Sequence, residues 1–394
     1  MFPKVVVLAA ELPYFQSWPC TMSAPAPAPA PAQDLDDLIM DVGWSALQIR
    51  CGLVFTRNQS AAANALVQSG KAESEAQALQ LMWDKCWEVI EKEANYDSHQ
   101  HTNILLQNFP RSSPKWFLAH KFPPGSLVGS IFEWPLSNRD QELLMACHNK
   151  RGVYPILGVH PREACRVKCD DLLTLMNSIQ SGTEAAAIGE SGLCVKKVEK
   201  GVDLRSQEQL FRIHALMAKA SGLPLVLHLR PWHKSKEEPV SMAVRVLTEC
   251  GLSTEHSINI HCWTGSFAQA EQFLASFPNT YFGFGKKLNK EDVRETARKI
   301  SSSRILAESD APFMANSGDT SKFIQHLAQI KGIDVLPLLH QLRSNMKTFF
   351  KSVQQADQPV WTQVKEEVEV YGRRISKPDL PAIHRLAARH LGKS

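Results

Sequence analysis

QEQLFRIHALMAKASGLPLVLHLR, residues 207–230, contains one complete unit of helix followed by strand. Leu210, Ile213, Leu216 and Met217 recur at helical spacing and predict a single buried helix face. Gly222 follows where the helix must end, because glycine adopts the left-handed conformation of a helix C-terminus without steric cost. The chain then reads PLVLHLR (224–230), apolar on nearly every residue, as a strand covered on both faces requires. Such strands belong to parallel sheets, in which a helix carries the chain back between one strand and the next.

Outward from this unit, comparable runs recur at YDSH (96–99), LVGSIFE (127–133), YPILGVH (154–160), AAAIGE (185–190), SINIHCW (257–263), TYFGFG (280–285) and SRILAESD (303–310). With PLVLHLR they make eight candidate strands, most of them separated by helix-length amphipathic segments. Eight such repeats predict the α/β class and a closed (β/α)₈ TIM barrel, for which about 250 residues is typical. The barrel is assigned to residues 94–351. Residues 102–126, rich in proline and containing KWFLAHKFPPG, read as a long loop over the barrel mouth in place of the first helix.

The flanks differ in composition. APAPAPAPA (24–32) favours extended polyproline geometry and has nothing to bury, so residues 1–33 are expected to be a disordered tail and spacer. Leu35, Leu38, Ile39, Val42 and Ala46, then Ala76, Leu79, Trp83, Trp87 and Ile90, keep helical spacing and predict a helical extension over 34–93, which is also a candidate surface for a protein partner. Residues 352–394, with their HRLAARHL segment, are expected to be an accessory C-terminal tail. A hydrophobic content of 44% with 21% charged residues is ordinary for a globular protein and suggests neither wholesale disorder nor a membrane protein. The net charge of +4 is too small to argue for a polyanionic partner by itself, so local clusters decide. Nine cysteines without CxxC pairs fit free thiols in a reducing compartment, cytoplasm or nucleus. VVVLAA (5–10) is interrupted at once by Glu11 and Pro13 and is too short for a secretory signal.

In a barrel of this kind the active site lies at the C-terminal ends of the strands. His99 and His101 stand there after the first run, His160 after the third, Glu190 after the fourth, His228 after the fifth, His261 after the sixth and Asp310 after the eighth. In ANYDSHQHTN (94–103), Asp97, His99 and His101 share one strand face and should aim at one point. An isolated His-x-His is most often a polar turn, but this many acid and imidazole groups at one end of successive strands form a metal-ligand set. The mixture suits zinc or manganese, and its carboxylates suit magnesium. Gly189 and Gly192 flank Glu190 and permit a sharp exit and a close backbone approach. Gly265, with the hydroxyls of Thr264 and Ser266, marks a helix start that either favours anions or is ordinary turn chemistry. Arg162, Lys196, Lys197, Arg230, Lys286 and Lys287 follow their strands on the same side and together suggest a polyanion groove, and Trp232 and Trp263 are candidates to stack on unpaired bases.

These motifs resemble the TatD-type metal-dependent deoxyribonucleases, (β/α)₈ hydrolases related to the amidohydrolases. DSHQH (97–101), GVHP (158–161), AIGESGL (187–193), LPLVLHLR (223–230), IHCWTGS (260–266), GFG (283–285) and ESDAPF (308–313) occur in the family's order over about residues 94–351. The resemblance implies two divalent metal ions (Mg, Mn or Zn) bridged by Glu190, with His99, His101 and Asp310 on one side and His228 and His261 on the other. It makes His160 a phosphate contact and Arg230 a substrate-side arginine. Two departures stand out: Cys194 and Val195 replace an expected Asp and Tyr, and MANSGDTSKF (314–323) replaces the family's Arg-rich and Asn-Glu-Pro elements. The expected activity is phosphodiester hydrolysis of DNA or RNA by a water activated between two metals, with Glu190 and Asp310 catalytic. The alternatives are a hydrolase of small ester or amide substrates, and a degenerate barrel that only binds nucleic acid or protein.

Overall fold

The computed structural model describes residues 59–68, 70–78, 81, 95–123, 125–182, 185–194, 204–231, 238–351 and 357–375. They fall into two compact units, one holding the residues up to Asn95 with Lys121–Ser126, the other Tyr96–His120 and everything from Leu127 onward. In the first unit, helix Gln59–Gln68 buries Ala63. There too, Asn95 donates its backbone N–H to Ser126 Oγ and its amide to the Lys121 carbonyl. The Ala-Pro spacer and most of the expected helical extension, Trp83 and Trp87 included, lie outside the described residues.

The second unit is the barrel. Its strands are β1 (Tyr96–Gln100), β2 (Leu127–Glu133), β3 (Val153–Gly158), β4 (Ala187–Cys194), β5 (Leu225–Arg230), β6 (Ile258–Ile260), β7 (Thr280–Phe284) and β8 (Ile305–Ala307). They form one eight-stranded sheet in sequence order, and every neighbouring pair is parallel. The ring is completed beyond β8, where Asp310 N–H donates to the His99 carbonyl at 3.0 Å and His101 N–H to the Ala311 carbonyl at 2.8 Å. The expected TIM barrel is therefore present. Helix Leu204–Ser221 buries Leu210, Ile213, Leu216 and Met217 as the spacing required, and Gly222 ends it at φ +71°.

Several boundaries differ from the sequence reading, each for a local reason. β4 does not end at Glu190 but runs four residues further to Cys194, with a register irregularity between Ile188 and Ser191. A bulge of this kind re-aims a side chain without ending the strand, so Glu190 points inward from the middle of β4. β6 and β8 are three residues each, and the chain leaves them through left-handed residues, Cys262 at φ +46° and Asp310 at φ +53°. Non-glycine residues in that region carry strain and cluster at functional sites. Residues 102–126 are not the expected loop, because helices Thr102–Gln107 and Pro114–Lys121 bury Leu105, Leu106, Phe117 and Leu118. Pro114 occupies a first helical position and Ser113 Oγ accepts from Trp116 N–H, a start signal hidden in the proline-rich stretch. Helix Gln358–Ile375 packs on helices Cys169–Gln180 and Leu204–Ser221 through Val360, Trp361, Val364, Val368 and Tyr371. The HRLAARHL segment lies outside the described residues.

Candidate active site

Glu190 is the centre of the mouth. Its side chain is 2% exposed, and its two oxygens face different partners. Oε1 lies 2.6 Å from His99 Nε2 and 3.3 Å from His101 Nε2, and Asp310 Oδ1 approaches the same two nitrogens at 3.8 and 3.4 Å. Oε2 lies 2.9 Å from His228 Nδ1, 3.3 Å from His160 Nε2 and 3.4 Å from His261 Nε2. His228 Nδ1 is also 3.2 Å from His160 Nε2 and 3.0 Å from His261 Nε2. One Nδ1 proton can satisfy only one of those acceptors, so ring nitrogens are turned toward each other with lone pairs to share. That donor set, buried and mixed in imidazole and carboxylate, fits divalent cations.

The surroundings tune these groups. Burial works to raise the Glu190 carboxyl, but His261, His99, His101 and His228 outweigh it and hold it well below the usual carboxylate range. Burial pushes His101 down, yet contacts with Asp310 and Glu190 prevail and raise it to about 10. His160 has less compensation: burial lowers it to about 4 against the pull of Glu190. Asp97 does not join the convergence expected of it. Its oxygens accept from Ser309 N–H (2.9 Å), Ser309 Oγ (2.5 Å) and His99 N–H (3.2 Å), which ties β1 to the exit of β8 between two cluster residues. Burial, only partly offset by Ser309, raises Asp97 to about 6.

A family model described as TatD related DNase matches residues 96–351. The chain belongs to this family. Relatives include YabD of Bacillus subtilis, named an uncharacterized metal-dependent hydrolase, 26% identical over 65% of this chain and 98% of its own length. The 3'-5' ssDNA/RNA exonuclease TatD of Erwinia amylovora is 26% identical over 53% of this chain and 83% of its own. Human TATDN2, named a 3'-5' RNA nuclease, is 25% identical over 50% of this chain, which spans only 27% of that longer protein. Among solved structures, YJJV, a TatD homologue from Escherichia coli K12, superposes with a TM-score of 0.53 at 19% identity, covering 66% of this chain and 98% of that one. At that identity the likeness speaks for the fold alone.

Within this TatD-related barrel the remaining expected residues separate. Arg230 reaches the mouth, its guanidinium 2.8 Å from His261 Nε2 and donating to the His261 and Cys262 carbonyls. Arg162 is exposed just after His160, whose Nδ1 accepts from the Arg162 backbone N–H. Lys196, Lys197 and Trp232 lie outside the described residues. The helix start after Gly265 is capped from within, since Gln269 Oε1 accepts from Ser266 N–H and Ser266 Oγ from Gln269 N–H. Those two amides are therefore taken up within the turn. Trp263 is core, 2% exposed and edge-on to Phe282 at 5.0 Å, and does not offer a face for stacking.

Sequence reasoning passed over two carboxylates. Glu133, the last residue of β2, has Oε1 3.5 Å from His101 Nδ1. Glu308, just past β8 and fully buried, has Oε1 3.6 Å from His261 Nδ1. Both stand behind imidazoles whose other nitrogen faces Glu190, the position from which a carboxylate orients a ligating ring. Burial and the neighbouring Asp310 push Glu308 well above the usual range. Gly283 makes its room: a Cβ there would sit 2.1 Å from Glu308 Oε2. Both acids stood at strand ends in the sequence, Glu133 closing LVGSIFE and Glu308 opening ESDAPF.

His214, on helix Leu204–Ser221, was also missed. Its Nε2 accepts from Val159 N–H at 3.0 Å and its Nδ1 donates to the Leu210 carbonyl at 2.8 Å, which fixes the backbone entering His160. Burial lowers its pKa from 6.5 to about 4. Between those values the unfolded chain binds the proton and the folded one does not, so stability is full above 6.5 and falls as pH drops toward 4. At pH 5 the loss from this residue should be about 2 kcal/mol relative to pH 7. Urea unfolding at both pH values checks it with His214→Gln, whose amide can replace both hydrogen bonds without titrating. Equal acid losses in the two proteins would remove His214 as the cause.

Proposed function

We propose that this protein is a phosphodiesterase that cleaves DNA or RNA with the help of two divalent metal ions (Mg, Mn or Zn). The observation that carries this reading is the division of Glu190 between two sets of nitrogen ligands. His99, His101, Asp310 and Oε1 would hold one ion, and His228, His261 and Oε2 the other, with His160 close enough to serve that second ion or the phosphate it neutralises. Bound ions supply a water of lowered pKa and a clamp on the phosphate oxygens. Asp310 is the cluster carboxylate with an open side, 13% exposed against 2% for Glu190, and is placed to accept the proton of the attacking water. Arg230 puts fixed positive charge beside the cluster, and Arg162 is an exposed cation two residues after His160. The nucleic-acid substrate is supported by the names of the TatD and TATDN2 relatives, and the choice between DNA and RNA by neither alone.

The test uses the purified full chain with its bound metal. It should hydrolyse bis(p-nitrophenyl) phosphate and labelled oligonucleotides, lose both activities after chelation, and regain them with manganese. Hydrolysis of small carboxylic esters or amides without any phosphodiesterase activity would favour the small-substrate reading, and absence of bound metal would favour the binding module.

A further inference from the structure

We propose that Tyr371 is a positioning residue for the phosphodiester reaction, through which helix Gln358–Ile375 fixes the turn that carries His160 and Arg162. The inference rests on the phosphodiesterase reading above and extends the working site to a segment that reading does not use. The match to the family ends at residue 351, so this helix belongs to a part of the chain that the family model does not cover.

The buried stripe of this helix changes character near its end. Val360, Trp361, Val364 and Val368 are apolar side chains on the face packed against helices Cys169–Gln180 and Leu204–Ser221. Tyr371 continues that stripe, equally buried, but brings a hydroxyl that donates to the Ala164 carbonyl. Burial pushes the phenol up, so it remains a neutral donor at working pH. Ala164 is itself fully buried and closes the short turn Pro161–Glu163, its own N–H donating to the Pro161 carbonyl. A buried carbonyl needs such a donor, and here the donor comes from outside the barrel.

The turn matters because His160 is built into it. His160 Nδ1 accepts from Arg162 N–H at 3.0 Å, and the His160 carbonyl accepts from Glu163 N–H at 2.9 Å. With Nδ1 filled, the neutral ring carries its proton on Nε2, the atom 3.3 Å from Glu190 Oε2 and 3.2 Å from His228 Nδ1. A shift of the turn therefore turns the ring away from the cluster. The chain is held on both sides of His160: His214 of helix Leu204–Ser221 accepts from Val159 N–H before it, and Tyr371 donates to Ala164 after it. The two helices that carry these side chains pack on each other. Behind Tyr371 the fit is close, since a Cβ on Gly372 would stand 2.8 Å from Cys169 Cβ, and Cys169 Sγ donates to the Val368 carbonyl at 3.7 Å. The hydroxyl thus reaches Ala164 from a fixed place.

The experiment uses the full metal-loaded chain, with bis(p-nitrophenyl) phosphate and a labelled oligonucleotide as substrates, and follows backbone hydrogen exchange by mass spectrometry. Tyr371→Phe removes the hydroxyl and keeps the ring. It should lower kcat/KM about 10-fold or more, the cost of a misplaced group at the reacting centre, while bound metal stays at the parental level. Exchange should speed up in the peptide spanning residues 159–167 and stay parental in β4. Gly372→Ala, which pushes the same helix off Cys169, should reproduce both changes. Val364→Ala is the control: it empties part of the same buried stripe and lowers stability in urea, but should leave kcat/KM and the exchange of residues 159–167 as in the parent. Parental kcat/KM and exchange in Tyr371→Phe overturn the proposal. So does a Val364→Ala defect equal to that of Tyr371→Phe, which would make lost stability the cause. A parent that cleaves neither substrate brings down the phosphodiesterase reading itself, whereas an active parent with an unaltered Tyr371→Phe variant brings down this inference alone.

Discussion

Glu190→Ala should lower phosphodiester hydrolysis by at least about 10³-fold and remove bound metal, an effect of about 4 kcal/mol or more on the barrier. The size follows from position. Glu190 sets one carboxylate oxygen against each half of the cluster, with Oε1 against His99 and His101 and Oε2 against His160, His228 and His261. Removing it leaves five buried imidazoles whose nearest remaining cluster carboxylate, Asp310, approaches only His99 and His101. Asp310→Ala makes the informative comparison. It should cost activity heavily but leave the nitrogen ligands around Oε2 in place, so at least one metal should stay. Metal analysis of the two variants beside their kcat/KM values checks the division, and a Glu190→Ala protein with full metal content and parental activity would sink it.

The barrel was legible because its evidence repeats. Most of the strands are apolar on both faces, and most of the eight runs present an acid or imidazole at the same end, so local errors left the architecture intact. What could not be read were departures from regular backbone. The bulge at Gly189–Glu190 lets β4 continue past Glu190, and left-handed Cys262 and Asp310 turn their chains early. Those features arise from contacts with neighbouring strands that no single run encodes. Helix Pro114–Lys121 was obscured by prolines that in fact begin it. The stripe of Val360, Trp361, Val364, Val368 and Tyr371 kept helical spacing and was readable, but a tail assignment passed over it.

Among the site residues, the six metal-ligand candidates and His160 were legible by strand position, and all converge. Glu133 and Glu308 were missed because a carboxylate at a strand end gives no sign of whether it ligates, supports an imidazole or faces solvent. Distance separates those roles: each carboxylate stands at the outer nitrogen of an imidazole, 3.5 and 3.6 Å away, on the side turned from Glu190. Asp97 shows the converse error. The period of two placed it on the face of His99, but Ser309 offers two donors nearer than the cluster and takes the carboxylate.

Trp263→Ala should destabilise the fold by about 3–5 kcal/mol, the cost of emptying a large buried aromatic site. Sequence position alone, two residues after His261, made this ring a candidate to stack on a base. In the structure the ring is 2% exposed and edge-on to Phe282, and the Trp263 backbone N–H donates to the Gly283 carbonyl at 2.8 Å, continuing the β6–β7 pairing beyond β6. Gly265 fits against it so closely that a Cβ there would lie 2.6 Å from Trp263 Cζ2. The cavity left by alanine would open directly beneath the turn that carries His261, so the loss is a large share of the roughly 5–15 kcal/mol that holds a typical domain together. Denaturant unfolding should register that loss, while the protein that remains folded binds single-stranded oligonucleotide with parental affinity. Trp263→Phe, which keeps a ring in the site, should recover much of the stability. A variant of parental stability whose oligonucleotide binding is weakened would reverse the assignment and return Trp263 to the substrate groove.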